Sequence, residues 1–186
     1  MTVRLNLGAG ACYMEGWINV DFNTAGGKQD VICDLSKEVP WKDNSVDEIL
    51  MDNFLEHMHK DRYFWFMDEI HRICKPGAKI TIYVPHCTSP FAFGHPAHYN
   101  FFHSGSMNIM SVDVPFNYER YGKARFKIKT LILPFHHNYV NLHFLSSLNK
   151  YISWMFNFSP LWQMVMEKIM PWGFEECHYE LKVIKE

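Results

Sequence analysis

The sequence has no excess of positive charge. Eighteen Lys and Arg stand against 20 Asp and Glu, a formal net charge of −2. A chain so balanced casts no global basic field, so no nucleic-acid partner is expected. Nowhere do 18 apolar residues run together, so no membrane-spanning helix is expected. The N-terminus shows no basic stretch leading into an apolar core, and no secretory leader is expected. The five cysteines (Cys12, Cys33, Cys74, Cys87 and Cys177) include no C-x-x-C pair and no metal-ligand spacing. Such an odd, scattered set reads as reduced thiols in a cytoplasmic protein.

What is present is a core. An apolar fraction of 48% and an aromatic fraction of 16% are too high for a disordered chain, and 186 residues suffice for one domain. The organising stretch is Val3 to Asp21. Val3, Leu5 and Leu7 enter a Gly8-Ala9-Gly10 turn, and a second apolar run, Trp17 to Val20, ends on Asp21. Strand, glycine turn, strand and acid is the order by which a parallel sheet holds a nucleoside at its carboxyl edge. Glycine lets backbone approach a ligand closely, and a carboxylate can accept from both ribose hydroxyls.

The dinucleotide version of this pattern fails. It needs a small residue three positions after Gly10, where Tyr13 stands, and an acid about 20 residues on. Asp21 follows too soon for a helix to intervene, so the first crossover is expected to be a loop. A nicotinamide enzyme is therefore disfavoured.

Further along, Val31-Ile32-Cys33 is a brief strand ending on Asp34-Leu35, and Val46 to Met51 is a fourth strand after an Asp43-Asn44 turn. Asp34 can instead cap a following turn. Asn53 and Phe54 fall at the fourth strand's carboxyl edge, followed by Glu56-His57. From Lys60 to Cys74, apolar residues at Tyr63, Phe64, Met67, Ile70, Ile73 and Cys74 share a helical face. Lys75-Pro76-Gly77 is the expected stop, and Ala78 to Val84 is a buried parallel strand.

LNLGAG followed by EGWINVD, with the motifs above in this order, resembles the class I S-adenosylmethionine-dependent methyltransferases, in a small branch whose first helix is cut to a loop. The resemblance covers Val3 to about His86. It implies an α/β fold: a Rossmann-like, mostly parallel sheet of about seven strands with an antiparallel last strand. It implies S-adenosyl-L-methionine as cofactor, held around Asn6, Gly8, Ala9, Gly10, Asp21, Phe22, Asp34, Leu35, Asn53, Phe54 and His57. Asp34 would accept from the adenine amino group and the Leu35 amide would meet the ring. The family has an acid where this chain has Asn6, which cannot attract the methionine ammonium by charge. No Asn-Pro-Pro-Tyr type stretch is present, which argues against amino-group methylation of DNA bases or protein glutamine.

The chain divides into a cofactor-binding half, 1–86, and a second half, 87–186, holding a substrate loop, an aromatic helical insertion and closing strands. The loop after the fifth strand carries His86, His95, His98 and His103 among aromatics, with one short helix expected over Ser104 to Met110. His98 or His95, with His103 behind them, could take a proton from an acceptor hydroxyl. His95 and His98 have no matching acid or cysteine pattern, and no metal is expected. Residues 113–125 read as an exposed connection, and Phe126 to Leu133 as a strand near the sheet edge.

Tyr139 to Met170 reads as two helices separated at Pro160, with Trp154, Phe158 and Trp162 adding aromatic surface. Only Lys150 and Lys168 supply the cations of an interfacial helix, so a lid, core packing or a homodimer contact is favoured over peripheral membrane contact. His178 to Ile184 alternates and closes the chain as an edge-region strand. The expected reaction is methyl transfer to a small-molecule, sugar or lipid-linked acceptor, at oxygen. The alternative is a degenerate, non-catalytic binding module.

Overall fold

The computed structural model describes residues 2–23, 27–114, 121–134, 151, 153–169 and 174–185. Seven strands form one sheet: β1 (Arg4–Leu7), β2 (Ile18–Asp21), β3 (Val31–Ile32), β4 (Val46–Asp52), β5 (Cys74–Pro85), β6 (Phe126–Ile132) and β7 (Glu176–Val183). Their order is β3-β2-β1-β4-β5-β7-β6, with β1 to β5 parallel and β7 antiparallel to both its neighbours. The Rossmann-like, mostly parallel α/β sheet with an antiparallel last strand is therefore observed.

Register explains the apolar runs. Leu5, Ile49, Ile80 and Leu181 lie side by side across four strands, each at most 1% exposed. Leu7, Met51, Ile82 and Tyr179 make a second buried row. Residues flanked this way on both sides must be apolar, which is why these strands read as short hydrophobic runs.

Between β4 and β5 the chain forms a 3₁₀ turn, Leu55–His57, and helix α1 (Lys60–Ile73). Tyr63, Phe66, Met67, Ile70 and Ile73 are its buried face. Phe66 belongs to that face, whereas Phe64 is only partly buried. The helix ends before Lys75, at Ile73, and Cys74 is already extended as the start of β5, within which Gly77 turns at φ +80°. Pro76 disfavours helical backbone at Lys75, so the stop acts upstream of the proline itself.

Two features of the second half differ from expectation. β7 is not at the edge: it is inserted between β5 and β6, and β6 is the edge strand. A short helix α2 (Pro90–Gly94) also interrupts the histidine loop, with the Ser89 hydroxyl accepting from Phe91 N–H at 3.3 Å. The second short helix is a 3₁₀ turn, Ser106–Met110. Helix α3 (Pro160–Ile169) begins at the proline, as the sequence predicts. Of the helix expected from Tyr139, residues 139–150 lie outside the described residues, as do residues 115–120 of the expected exposed connection, and residues 153–156 are helical. Phe156, Gln163 and Met166 are buried, while Trp154, Phe158 and Leu161 are more than 70% exposed. No helix among the described residues is long and apolar enough to cross a membrane.

Candidate functional site

The chain steps outward from β1 to β2 and β3 on one side, and returns as β4 and β5 on the other. The carboxyl ends of β1 and β4 thus part the loops that follow them, and a crevice opens there. The Gly8–Gly10 turn forms one lip and Asn53-Phe54 the other. Gly8 and Gly10 have φ of +71° and +49°, and Asn53 also takes the left-handed region at +49°. Asparagine tolerates that region better than most residues.

The first turn is held by amides. Asn6 Nδ2 donates to Cys12 O (2.9 Å) and Asn19 Oδ1 (3.0 Å). Asn19, fully buried, donates through Nδ2 to Met14 O (3.0 Å) and Asp30 Oδ2 (2.9 Å), and its Oδ1 accepts from Met14 N–H (2.8 Å). The Asn19 backbone N–H also donates to Asp30 Oδ2 (2.8 Å), and this bond, with the one from Nδ2, holds the Asp30 carboxyl below its usual range. An acid at position 6 would face two acceptors with nothing to donate, so this framework requires an amide there. The framework residues Asn19 and Asp30 carry no sequence signal of their own.

A cavity of about 490 Å³ fills the crevice. Gly8, Gly10, Asp21, Phe22, Asp34, Leu35, Asn53, Phe54 and His57 line it. Asn6 and Ala9 are not on its wall: both are buried, Asn6 in the amide framework and Ala9 with its N–H on Val20 O (3.0 Å). Asp21 accepts Gly10 N–H through Oδ2 (2.9 Å) and Asn23 N–H through Oδ1 (2.8 Å). Each oxygen keeps a second lone pair for a ligand hydroxyl.

Asp34 lines the cavity and also closes its own turn. It accepts from Ser36 N–H (3.1 Å), Ser36 Oγ (2.6 Å) and Lys37 Nζ (2.8 Å). The Lys37 and Ser36 bonds lower its carboxyl to about 2.

A second cavity, about 280 Å³, shares Asn53 and His57 with the first. Its other walls are Glu56, Pro85, Phe91, His95, His98, Glu175 and Glu176. His57, His95 and His98 converge here, with ring centroids 4.6 to 5.2 Å apart. His57 Nδ1 lies 3.1 Å from Ala97 O and His98 Nδ1 lies 3.0 Å from Ala92 O. Burial lowers the His57 imidazole, and the charges of His98 and His95 add to that, against the Ala97 bond.

Glu56 is 1% exposed, and neither carboxylate oxygen has a hydrogen-bond partner among the described residues. Burial pushes it up to about 7, and Asp52 and Glu176 add to the rise. Its sequence signal was the Glu56-His57 pair, of which only the histidine was counted. Glu175 and Glu176, contributed from the far end of the chain, had no signal.

The other two loop histidines are elsewhere. His103 lines neither cavity: it is exposed, its Nδ1 accepts Gly105 N–H (3.1 Å), and its carbonyl accepts from Tyr179. His86 is buried between Thr88 Oγ1 and Glu167 Oε1, each at 2.8 Å. Glu167 also accepts from Ser104 N–H (2.8 Å) and from its hydroxyl.

Residues 14–82 match the family model for the methyltransferase domain. No curated protein sequence matches the chain significantly. Among solved structures, a SAM-dependent methyltransferase from Archaeoglobus fulgidus aligns over 97% of this chain and 86% of its own, at 20% identity and a TM-score of 0.61. A SAM-dependent methyltransferase from Methanosarcina mazei aligns over 98% of this chain and 92% of its own, at 12% identity and TM-score 0.58. A Burkholderia thailandensis 1,6-didemethyltoxoflavin N1-methyltransferase, solved with bound 1,6-didemethyltoxoflavin and S-adenosylhomocysteine, aligns over 98% of this chain and 71% of its own, at 14% identity and a TM-score of 0.53.

Proposed function

We propose that this chain, a class I S-adenosylmethionine-dependent methyltransferase by fold and by family match, methylates a hydroxyl of a small-molecule, sugar or lipid-linked acceptor. The observation that carries the reading is the pair of joined cavities, in which the cofactor-type crevice meets the histidine-walled one at Asn53 and His57.

The crevice fits the cofactor. Its volume is in the range of small-ligand sites. A Cβ added at Gly10 meets no protein atom within 4 Å, so the turn presents bare backbone to open space. Phe22, 71% exposed, offers a ring face for adenine. Asp21 would hold the ribose hydroxyls, Asp34 the adenine amino group, and the Leu35 amide the ring. Asn53, Phe54 and His57 would border the methyl end. When bound, the cofactor supplies a methyl group already activated by its sulfonium.

The chain's remaining task is alignment and handling the acceptor's proton. We assign that proton's loss to the imidazole wall, His98 and His95 with His57 beside them. His103 lies outside that wall. A positioned group of this kind typically contributes about 10²–10⁴ in rate. The degenerate-module reading rested on Asn6, and the amide framework gives Asn6 a structural reason that does not bear on activity.

Calorimetry and melting with S-adenosylhomocysteine test the reading. At a hundred times Kd, binding stabilises by about 2.7 kcal/mol. For a chain of this size that raises Tm by roughly 5–11 °C. No heat and no shift at millimolar ligand would refute it.

A further inference from the structure

We propose that His57, His95 and His98 form a site for one divalent transition-metal ion, zinc by preference, whose fourth position opens into the acceptor cavity. Among the described residues, this trio is the only group of metal-ligand side chains close enough to share an ion. One ligand nitrogen from each lies within 4.8 Å of the others.

Three observations support it independently of the family. First, the trio converges from two places in the chain, the 3₁₀ turn after β4 and the loop after β5. Parallel neighbours β4 and β5 exit at one sheet edge, which brings those segments together. Second, His57 and His98 each place Nδ1 against a backbone carbonyl, at 3.1 and 3.0 Å. A carbonyl can only accept, so Nδ1–H donates there and Nε2 is the unprotonated nitrogen of each ring. Metal-ligating histidines are oriented by this same kind of outer bond. His95 joins by giving up a long contact, Ala97 N–H to its Nδ1 at 3.3 Å. Third, all three rings line a cavity also walled by the carboxyl groups of Glu56, Glu175 and Glu176. Glu56 brings to it two buried oxygens with no hydrogen-bond partner among the described residues.

The geometry favours zinc over a hard ion. Three imidazoles and one open position are the donor set of catalytic zinc, and Ca²⁺ or Mg²⁺ would demand oxygen ligands. Around a tetrahedral ion the nitrogens stand about 3.4 Å apart, so binding closes the cluster by up to about 1.4 Å and turns the His95 ring out of its stack on His98.

The inference deepens the reading of this cavity as the acceptor site and rests on it. The acceptor class becomes one with an ionisable hydroxyl able to complete the ion's shell. Coordination promotes loss of the hydroxyl proton to water. The oxygen's electron pair then forms the C–O bond as the C–S bond breaks, and that bond's pair stays on sulfur. In the metal-loaded form the histidines act as ligands, which replaces the base role assigned to them above; in the metal-free form that base role stands.

The test uses the full chain with no histidine tag, stripped of metal by a chelator. Cobalt(II) is titrated as an optical probe of tetrahedral nitrogen coordination, then displaced by zinc in calorimetry. One ion per chain with tetrahedral cobalt bands is expected. His57→Ala, His95→Ala and His98→Ala should each weaken zinc by more than the roughly 100-fold upper range of outer-bond changes. His59→Ala, at an exposed histidine paired with Asp61, should bind as wild type does. Where an alanine variant melts early in the metal-free form, the glutamine variant takes its place. Absent cobalt bands, substoichiometric zinc, or unchanged affinity in a folded His98 variant would overturn the site and leave three packed neutral rings. S-adenosylhomocysteine calorimetry on the same sample separates the two readings. Cofactor without zinc sinks only the metal site, and zinc without cofactor sinks only the methyltransferase reading.

Discussion

Gly8→Ala and Gly10→Ala lie two positions apart in the same turn, yet the structure assigns them different costs. Both glycines have positive φ, where an added Cβ costs about 1–2 kcal/mol. Only Gly8 adds a collision: its Cβ would fall 2.3 Å from Phe54 Cδ2 and 2.9 Å from Phe54 Cβ. Phe54 cannot simply rotate away, because it packs edge-on against Phe66, with centroids 5.5 Å apart, and Phe66 is in the core. Overpacking of this kind costs about 1–3 kcal/mol. Gly8→Ala should therefore melt below Gly10→Ala by roughly 2–12 °C, taking 2–4 °C per kcal/mol. Both variants should lose S-adenosylhomocysteine affinity for different reasons: Gly8→Ala displaces the Phe54 wall, and Gly10→Ala puts a methyl into the crevice. Thermal melts by circular dichroism and calorimetry on the folded variants read the two effects separately. Equal melting of the two variants would refute the Phe54 wedge. Wild-type affinity in Gly10→Ala would refute the turn as a contact surface.

Asp21→Ala should weaken S-adenosylhomocysteine by about 1–3 kcal/mol, roughly 5- to 150-fold in calorimetry, since ribose hydroxyls and Gly10 N–H lose their acceptor. Phe22→Ala should leave Tm nearly unchanged, because the ring is 71% exposed, while removing about 1–3 kcal/mol of base stacking from the same titration. Glu167→Gln tests the buried knot around His86. Burial raises the Glu167 carboxyl, but bonds from His86 and Ser104 outweigh it and hold it below its ordinary 4.5. A carboxyl depressed in the folded state stabilises above 4.5 and loses that contribution as pH falls through its folded value. Melts from pH 7 down to pH 3 should fall less steeply in the variant than in wild type, and parallel curves would show the knot does not couple to folding.

The first crevice was legible because its signals are local. A strand flanked on both sides reads as an apolar run, and the Gly8–Gly10 turn, Asp21 and Asn53-Phe54 follow their strands directly in sequence. The second cavity was hidden for the converse reason. His57 and His98 are neighbours only because β4 and β5 pair in parallel, and nothing in either segment's pattern encodes the other. Helix α2 did carry a signal, Ser89 before Pro90, a hydroxyl cap ahead of a first-turn proline. It was read as a loop break because Pro, Gly and Ser crowd the segment. The position of β7 was not readable from its own residues: one face is buried wherever such a strand lies, so alternation alone cannot choose an edge from an interior place.

That position of β7 sets an order of assembly. Until the last strand docks, β5 and β6 are held apart by the width of one missing strand, each with an unpaired row of N–H and C=O groups. Ile80 and Ile128 both wait for Leu181, far along the chain. Such gaps close slowly, because long-range pairing must first overcome the entropy of loop closure. In the interval the nascent sheet presents two open edges to other chains, the usual route to aggregation. Substitutions that weaken β7, such as at Tyr179 or Leu181, should therefore lower the yield of soluble protein more than they lower the melting temperature of what does fold.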